Sequence, residues 1–336
     1  MKIAIGLSGG VDSAVAAYLL KNQGAEVLGI NLILTGNEDT EDVKSIASFL
    51  KIETAFIDLR EYFRETVIEN FKNEYSLGKT PSPCIICNEK IKFGKMLSFA
   101  LERGCDKLAT GHYAKVVRLG EYNYIKKAES KKDQSYFLYR LNQEQLSRIV
   151  FPLEGLTKEE IRKIAVESGI PVAHKKDSLD ICFIPNGDYV SFLHSNGAKS
   201  IEGDFINTSG EVIGRHKGII NYTVGQRKGL GAFGRPMFVT KINALQNTVT
   251  LGEANEQYSL SLLANNAVFT GQWPEHPFEA LIKVRYTATA APGLVTPTGD
   301  GFRVDFHAPM RWVAPGQSAV IYDSEGMVLG GGEIRC

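Results

Sequence analysis

The sequence predicts an α/β protein: a parallel-sheet domain over residues 1–195, a smaller β-rich central domain over 196–261, and a C-terminal β-barrel domain over 262–336. Three observations carry this. In the first half, short apolar runs alternate with amphipathic helical stretches, the pattern of a parallel sheet covered by helices. After about Ser195 the texture changes to short β-branched and aromatic runs punctuated by Gly and Asn turns. The chain has 336 residues, of which 43% are hydrophobic and only 12 are Pro, which suits a folded protein with two or three separate cores.

In order, Ile3–Leu7 reads as a buried strand, Asp12–Asn22 as a helix, Ala25–Asn31 as a strand and Thr40–Leu50 as a helix. A strand at Glu53–Leu59 follows, then helical segments over Glu61–Glu74 and Asn88–Arg103, and a strand at Lys107–Gly111. Thr157–Ser168 reads as a helix because Thr157 and Glu160 have capping-box spacing, with Ile161, Ile164 and Ala165 at core-facing intervals. Strands are expected at Phe238–Ile242, Thr248–Leu251, Leu281–Val284 and Ala319–Tyr322. No internal repeat or low-complexity linker is visible.

The 38 Lys and Arg balance 38 Asp and Glu, so there is no overall basic charge to drive non-specific nucleic-acid binding, and any RNA surface must be local. Such a surface is written in residues 82–132, with eleven basic against five acidic side chains, whereas 261–336 carries five against seven. The five cysteines, Cys84, Cys87, Cys105, Cys182 and Cys336, are too uneven for a secreted disulfide framework. The N-terminus runs directly into a strand pattern without the features of a signal peptide, and no apolar run is long enough to span a membrane. A soluble cytoplasmic protein is the expectation.

The first strand leads into Ser8-Gly9-Gly10-Val11-Asp12-Ser13 and then directly into a helix. Adjacent glycines at such a turn let backbone N–H groups approach an anion, and the helix N-terminus adds partial positive charge. This is a phosphate or pyrophosphate seat, although a turn merely capped by Ser8 would look similar. It is neither a Walker A loop, lacking the Lys-Ser or Lys-Thr pair, nor a dinucleotide fingerprint, lacking the third Gly. Asp12 would repel phosphate unless a cation intervened, so it is assigned to orienting Mg²⁺. The full string resembles the signature of the ATP pyrophosphatases, with their adenine nucleotide α-hydrolase-like fold.

Pro83-Cys84-Ile85-Ile86-Cys87 precedes the expected helix, where a thiol near the N-terminus is favoured as thiolate. Cys87 is therefore a candidate nucleophile. Cys182 lies where the acidic stretch Asp177–Asp180 gives way to apolar residues. Cys105 and Cys336 read as a buried small hydrophobe or a surface thiol. No zinc-ligand spacing follows the Cys-x-x-Cys pair, but Cys84, Cys87 and Cys182 could hold three irons of a [4Fe–4S] cluster.

Further blocks make the resemblance specific. Cys87-Asn88 through Phe93, Ala109–Tyr113, Lys132–Leu138, Ile181–Ile184, Tyr222–Gly231, Arg285-Tyr286 and Ala314–Gln317, together with Ser8–Ser13, resemble the bacterial and organellar tRNA-specific 2-thiouridylases across nearly the whole chain. The resemblance implies ATP-dependent adenylation of the C2 oxygen of the wobble uridine of tRNA and its replacement by sulfur. By position it implies that Gly6, Leu7, Ser8, Gly9, Gly10, Val11, Asp12 and Ser13 hold the nucleotide phosphates, with Leu32 and Gly111 at the nucleotide. It further implies a persulfide on Cys182 with Cys87 as second thiol, and a sulfur-donor protein or free sulfide as partner. The tRNA contacts it implies are Ser82, Pro83, Cys84, His112, Lys132, Asp133, Gln134, Arg285, Tyr286 and Gln317.

Two positions depart from the family pattern. Cys84 stands where relatives commonly carry Asp, which keeps the three-cysteine cluster open as the sulfur carrier, and Leu34–Asp39 lacks an expected Asn-Trp element. The competing functions are a non-catalytic iron–sulfur or RNA-binding protein on the same fold, or another synthetase of the ATP-pyrophosphatase type.

Overall fold

The computed structural model describes residues 1–38, 40–176 and 181–335. Asp39, the acidic approach Asp177–Asp180 and Cys336, to which the sequence assigned readings above, lie outside the described residues. The chain divides into two compact units, Met1–Val67 with Cys84–Leu179 and Glu325–Leu329, and Ile68–Pro83 with Asp180–Ser324 and Gly330–Cys336.

The first unit begins β1 (Lys2–Gly6), α1 (Val11–Asn22), β2 (Glu26–Ile33), α2 (Thr40–Leu50) and β3 (Glu53–Asp58). A continuous helical stretch follows as α3 (Arg60–Phe63), a π-wound turn at Arg64–Ile68 and α4 (Glu69–Ser76), of which α4 belongs to the second unit. The next runs as α5 (Pro83–Ile86), a π-wound segment Cys87–Met96 and α6 (Leu97–Glu102). This helix begins five residues before the expected Asn88, because Pro83 suits a first helical position with its fixed φ and absent N–H. Then come β4 (Lys107–Ala109), a hairpin of β5 (Ala114–Leu119) and β6 (Tyr122–Lys127) that sequence periodicity missed, α7 (Gln143–Ser147), β7 (Ile149–Val150) and α8 (Lys158–Glu167). The Thr157/Glu160 capping box opens α8 as expected.

The sheet order is β3-β2-β1-β4-β7, and every pairing is parallel. Ile3, Ala4 and Ile5 of β1 are buried, and the small face of α1, Ala14, Ala16 and Ala17, lets the helix lie close to the sheet. The chain leaves β1 toward β2 and β3 on one side and later returns to β4 on the other. The switch point therefore falls between β1 and β4, where open parallel sheets place ligands beyond the strand C-termini. The strand expected to reach Gly111 ends at Ala109, leaving Thr110 and Gly111 as the loop facing this crevice.

In the second unit, α9 (Tyr189–Ser195) precedes a four-stranded sheet of β8 (Gly203–Ile206), β9 (Val212–His216), β10 (Phe238–Asn243) and β11 (Thr248–Gly252), ordered β10-β11-β8-β9. A closed antiparallel barrel follows: β12 (Tyr258–Phe269), β13 (Phe278–Lys283), β14 (Ala291–Thr298), β15 (Gly301–Arg311), β16 (Ser318–Tyr322) and β17 (Val328–Arg335), ordered β12-β15-β14-β13-β16-β17. The expected parallel-sheet domain with β-rich and β-barrel successors is the observed architecture. Ala314, which follows the barrel strand β15, packs into the core of the four-stranded sheet beside Phe205, Tyr222 and Val239. No helix among the described residues is long and apolar enough to cross a membrane.

Candidate functional site

The turn after β1 is built mostly from its own residues. Leu7 N–H donates to Ile30 at 2.8 Å, and the Asn31 side-chain amide donates to the Leu7 carbonyl at 2.7 Å, so β2 anchors the start of the loop. Gly9 has φ 73°, a left-handed conformation that favours glycine. Ser13 then closes the loop: its hydroxyl accepts from Ser8 N–H at 3.2 Å and donates to the Gly10 carbonyl at 3.0 Å. Gly10, not Ser8, occupies the helix cap, and no side chain caps it. The first amides of α1 lack intrahelical acceptors, as at any helix start, and Ala14 N–H is bonded back to Gly10 at 3.2 Å. These amides suit an anion.

Gly111 approaches the loop from β4. A Cβ there would lie 3.0 Å from Asp12 C and Ser13 N, a tight contact that presses the loop by a few tenths of an ångström. The loops after β1 and β4 thus touch at the switch point.

Asp12 has partners the sequence did not foresee. Its Oδ1 accepts from Lys158 Nζ at 2.6 Å and from the Tyr113 hydroxyl at 2.8 Å. Lys158, buried at the start of α8, sets a cation against Asp12, the residue the sequence reading assigned to orienting Mg²⁺. A lysine in a first helical turn opposes the helix dipole, and that unfavourable placement is the one sequence signal that could have marked it. Asn31, a polar residue inside an apolar strand, is a similar signal; its Oδ1 is buried without a hydrogen-bond partner.

His112 is buried, with Nδ1 2.7 Å from Thr110 Oγ1 and Nε2 3.5 Å from Lys92 Nζ, between the rings of Phe93 and Phe151. Burial, reinforced by the Lys92 charge, pushes its pKa well below the usual histidine range, so the ring is neutral.

The thiols fall in different surroundings. Cys84 is half-buried near the start of its helix, whereas Cys87 sits one turn in and is 7% exposed, so the N-terminal position expected for Cys87 belongs to Cys84. The π-wound segment that begins at Cys87 is pinned from outside. Gln145 Nε2 donates to the carbonyls of Glu89 at 3.2 Å and Phe93 at 2.9 Å, and Asn88 Nδ2 donates to Phe137 at 3.1 Å. Arg140 pairs with Glu89 at 2.8 Å. Cys105 is buried, which raises its pKa. In the second unit, Cys182 is exposed in a turn closed by Ile184 N–H to Ile181 at 2.9 Å. The following Phe183 is buried against Phe71 and Phe192, which holds this turn in place.

Among the described residues no group of three or more His, Cys, Asp and Glu side chains could hold a metal ion. That donor arrangement gives no support to the three-cysteine [4Fe–4S] cluster, whereas Mg²⁺ held by Asp12 together with nucleotide phosphates needs no such group.

Several expected RNA contacts are occupied with internal bonds. Asp133 accepts from Ala128 and Ser135 N–H at 3.1 Å each, and Gln134 is tied to Tyr113 through both its side chain and its backbone. Arg285 donates to the carbonyls of Trp312 at 3.0 Å and Val224 at 2.7 Å, and Gln317 Nε2 donates to Thr80 at 2.7 Å. Ser82, Lys132 and Tyr286 are half-buried, and Leu32 lies on β2.

Residues 1–186 match the family model described as tRNA methyl transferase HUP domain, 190–253 its PRC-barrel domain, and 259–334 an aminomethyltransferase beta-barrel domain. The class defined is an α/β HUP-type domain joined to two β-rich modules. The chain is 42% identical to the tRNA-specific 2-thiouridylase MnmA of Clostridioides difficile over 354 residues, 99% of this chain and 98% of that protein. Against the proteins of the same name from Acetivibrio thermocellus and Treponema denticola it is 43% identical (99% of each chain) and 44% identical (100% of this chain, 98% of the other). It belongs to the tRNA-specific 2-thiouridylase family. A solved 4-thiouridine synthetase–RNA complex with bound ATP overlaps 58% of this chain and 50% of its own at 18% identity and a TM-score of 0.36, too slight a likeness to bear on function.

Proposed function

We propose that this protein is a cytoplasmic, ATP-dependent tRNA uridine 2-sulfurtransferase. The observation that carries this is the end-to-end similarity to 2-thiouridylases; the self-closed anion loop at the switch point supports it. The reading extends to residues and steps. The amides of Gly9 to Ser13 hold ATP phosphates, Gly111 leaves room for the loop, and Leu32 lies toward the nucleotide. The wobble uridine O2 attacks the α-phosphorus, pyrophosphate leaves, and C2 then carries AMP as leaving group. The terminal sulfur of a Cys182 persulfide attacks C2 and AMP departs. The Cys87 thiolate attacks the Cys182 Sγ, releasing 2-thiouridine and leaving a Cys87–Cys182 disulfide for an external reductant. A preorganised anion site and an activated thiol are the two requirements of such a displacement.

In this reading the three expected segments, 1–195, 196–261 and 262–336, divide catalysis and RNA binding, and the basic stretch 82–132 carries phosphate contacts. The outer sulfur of the Cys182 persulfide arrives from the persulfide of a donor protein, whose thiolate leaves; free sulfide is two electrons too reduced to supply it. The family model's description names methyl transfer, which would use neither an ATP phosphate loop nor paired thiols. Incubation with unmodified tRNA, ATP, Mg²⁺, polysulfide as the source of sulfane sulfur and a thiol reductant for turnover, followed by nucleoside mass spectrometry, tests the proposal. We expect 2-thiouridine. Its absence in both aerobic and anaerobic preparations, or a methylated uridine formed only with a methyl donor, would overturn it.

A further inference from the structure

Trp312, in the second unit, has φ 60°, a left-handed backbone that a bulky side chain adopts only when its surroundings impose it. Those surroundings are specific. Arg285 grips the Trp312 carbonyl at 3.0 Å and reaches the Val224 carbonyl at 2.7 Å, fixing the residue from its backbone. The indole N–H donates to Gln257 Oε1 at 3.1 Å. The ring lies on Gly225, where a Cβ would come within 2.7 Å of Trp312 Cδ1, so only glycine leaves room for it. Yet the residue remains 38% exposed. A large aromatic whose backbone, edge and underside are all secured, and which still meets solvent, is built as a platform.

Its neighbours are cationic. Arg311 precedes it and stacks its guanidinium 4.7 Å over the Tyr258 ring, and both are exposed. Arg227 and Lys228 are exposed just beyond Gly225. The carboxylate of Glu256, the residue before Gln257, is engaged by Glu253 N–H and Thr208 Oγ1 at 2.7 Å each. Rigid aromatics interleaved with Arg and Lys complement a polyanion that carries flat, stackable groups.

We infer that Trp312 is a base-stacking platform for an unpaired nucleotide of the tRNA substrate, and that Arg285 is its positioning residue. This rests on the proposed tRNA activity but assigns a part of the surface that the reaction scheme does not use. Stacking on an aromatic is removed by alanine at a cost of about tenfold in affinity, and phenylalanine retains most of it.

The chain has only two tryptophans, so the full-length Trp273→Phe variant reports Trp312 alone by fluorescence. Unmodified tRNA, added without ATP, is expected to quench and shift that emission. Trp312→Ala should raise the Kd for tRNA about tenfold and Trp312→Phe by much less. Arg285→Ala should weaken binding similarly, and the double variant should be little weaker than either single one. tRNA that binds and is thiolated while Trp312 emission stays unmoved would overturn the inference and leave the proposed activity standing. Additive losses in the double variant would overturn the role given to Arg285. Failure of the parent protein to bind tRNA at all would overturn both the inference and the proposed activity. If Trp312→Ala does not fold, the emission titration decides.

Discussion

The two units use similar polar residues to opposite ends. In the first, polar side chains converge on a turn: Ser13 closes the loop, Lys158 and Tyr113 converge on Asp12, and buried His112 sits one residue past Gly111. In the second, Arg285 and Gln317 are spent on main-chain carbonyls of Val224, Trp312 and Thr80, tying segments that lie outside the sheet and barrel strands. The parallel sheet brings its loops together at one edge through its topology. A barrel closes its strands on each other but leaves its connecting loops to be fastened by side chains.

The sharpest test of this contrast is loss of chemistry without loss of fold. Cys182→Ser and Cys87→Ser are each expected to abolish thiolation completely, as read by nucleoside mass spectrometry, while tRNA binding survives. Retained turnover in either variant would remove that thiol from the scheme.

Next in size, Gly111→Ala inserts a Cβ 3.0 Å from loop backbone atoms and should cut turnover about tenfold by shifting the loop a few tenths of an ångström. Gly225→Ala should instead weaken tRNA binding and leave ATP binding intact. Equal effects of the two on ATP, measured by equilibrium binding, would erase the division between the units.

Lys158→Met leaves Asp12 with Tyr113 but without its cation. The expected cost is about 2 kcal/mol, seen as a lowered denaturant midpoint, because Lys158 is buried and the carboxylate only partly reaches solvent. Lys158→Arg should recover part of it.

The smallest effect is with acid. Burial holds His112 neutral with its folded pKa well below 6.5. Below pH about 6.5 the unfolded chain therefore binds a proton that the folded chain does not, and stability falls as pH falls, by up to about 1.4 kcal/mol per pH unit. His216, in the second unit, is lowered by burial but opposed by its bond to the Asn247 carbonyl. His112→Gln should thus flatten the acid dependence of unfolding more than His216→Gln does; equal slopes would contradict the burial argument.

Much of the first unit was legible because its signals are local. The loop string, the alternation of strands and helices, and the Thr157 cap are each contained within a few residues. The β5–β6 hairpin escaped notice, since a polar two-stranded ribbon carries little apolar periodicity. The Cys87 helix opens earlier than its sequence pattern indicated, because Pro83 serves as a first-turn residue.

By itself the sequence determined the α/β character, the glycine turn between the first strand and helix, and the family, because these follow from neighbouring side chains and their periodicity. Only the tertiary structure decided that Lys158, 146 residues along the chain, neutralises Asp12, and that Arg285, 61 residues from Val224, fastens a platform at Trp312. Such pairings depend on where the strands bring distant loops together, and a charge or hydrogen bond acts only at a few ångströms.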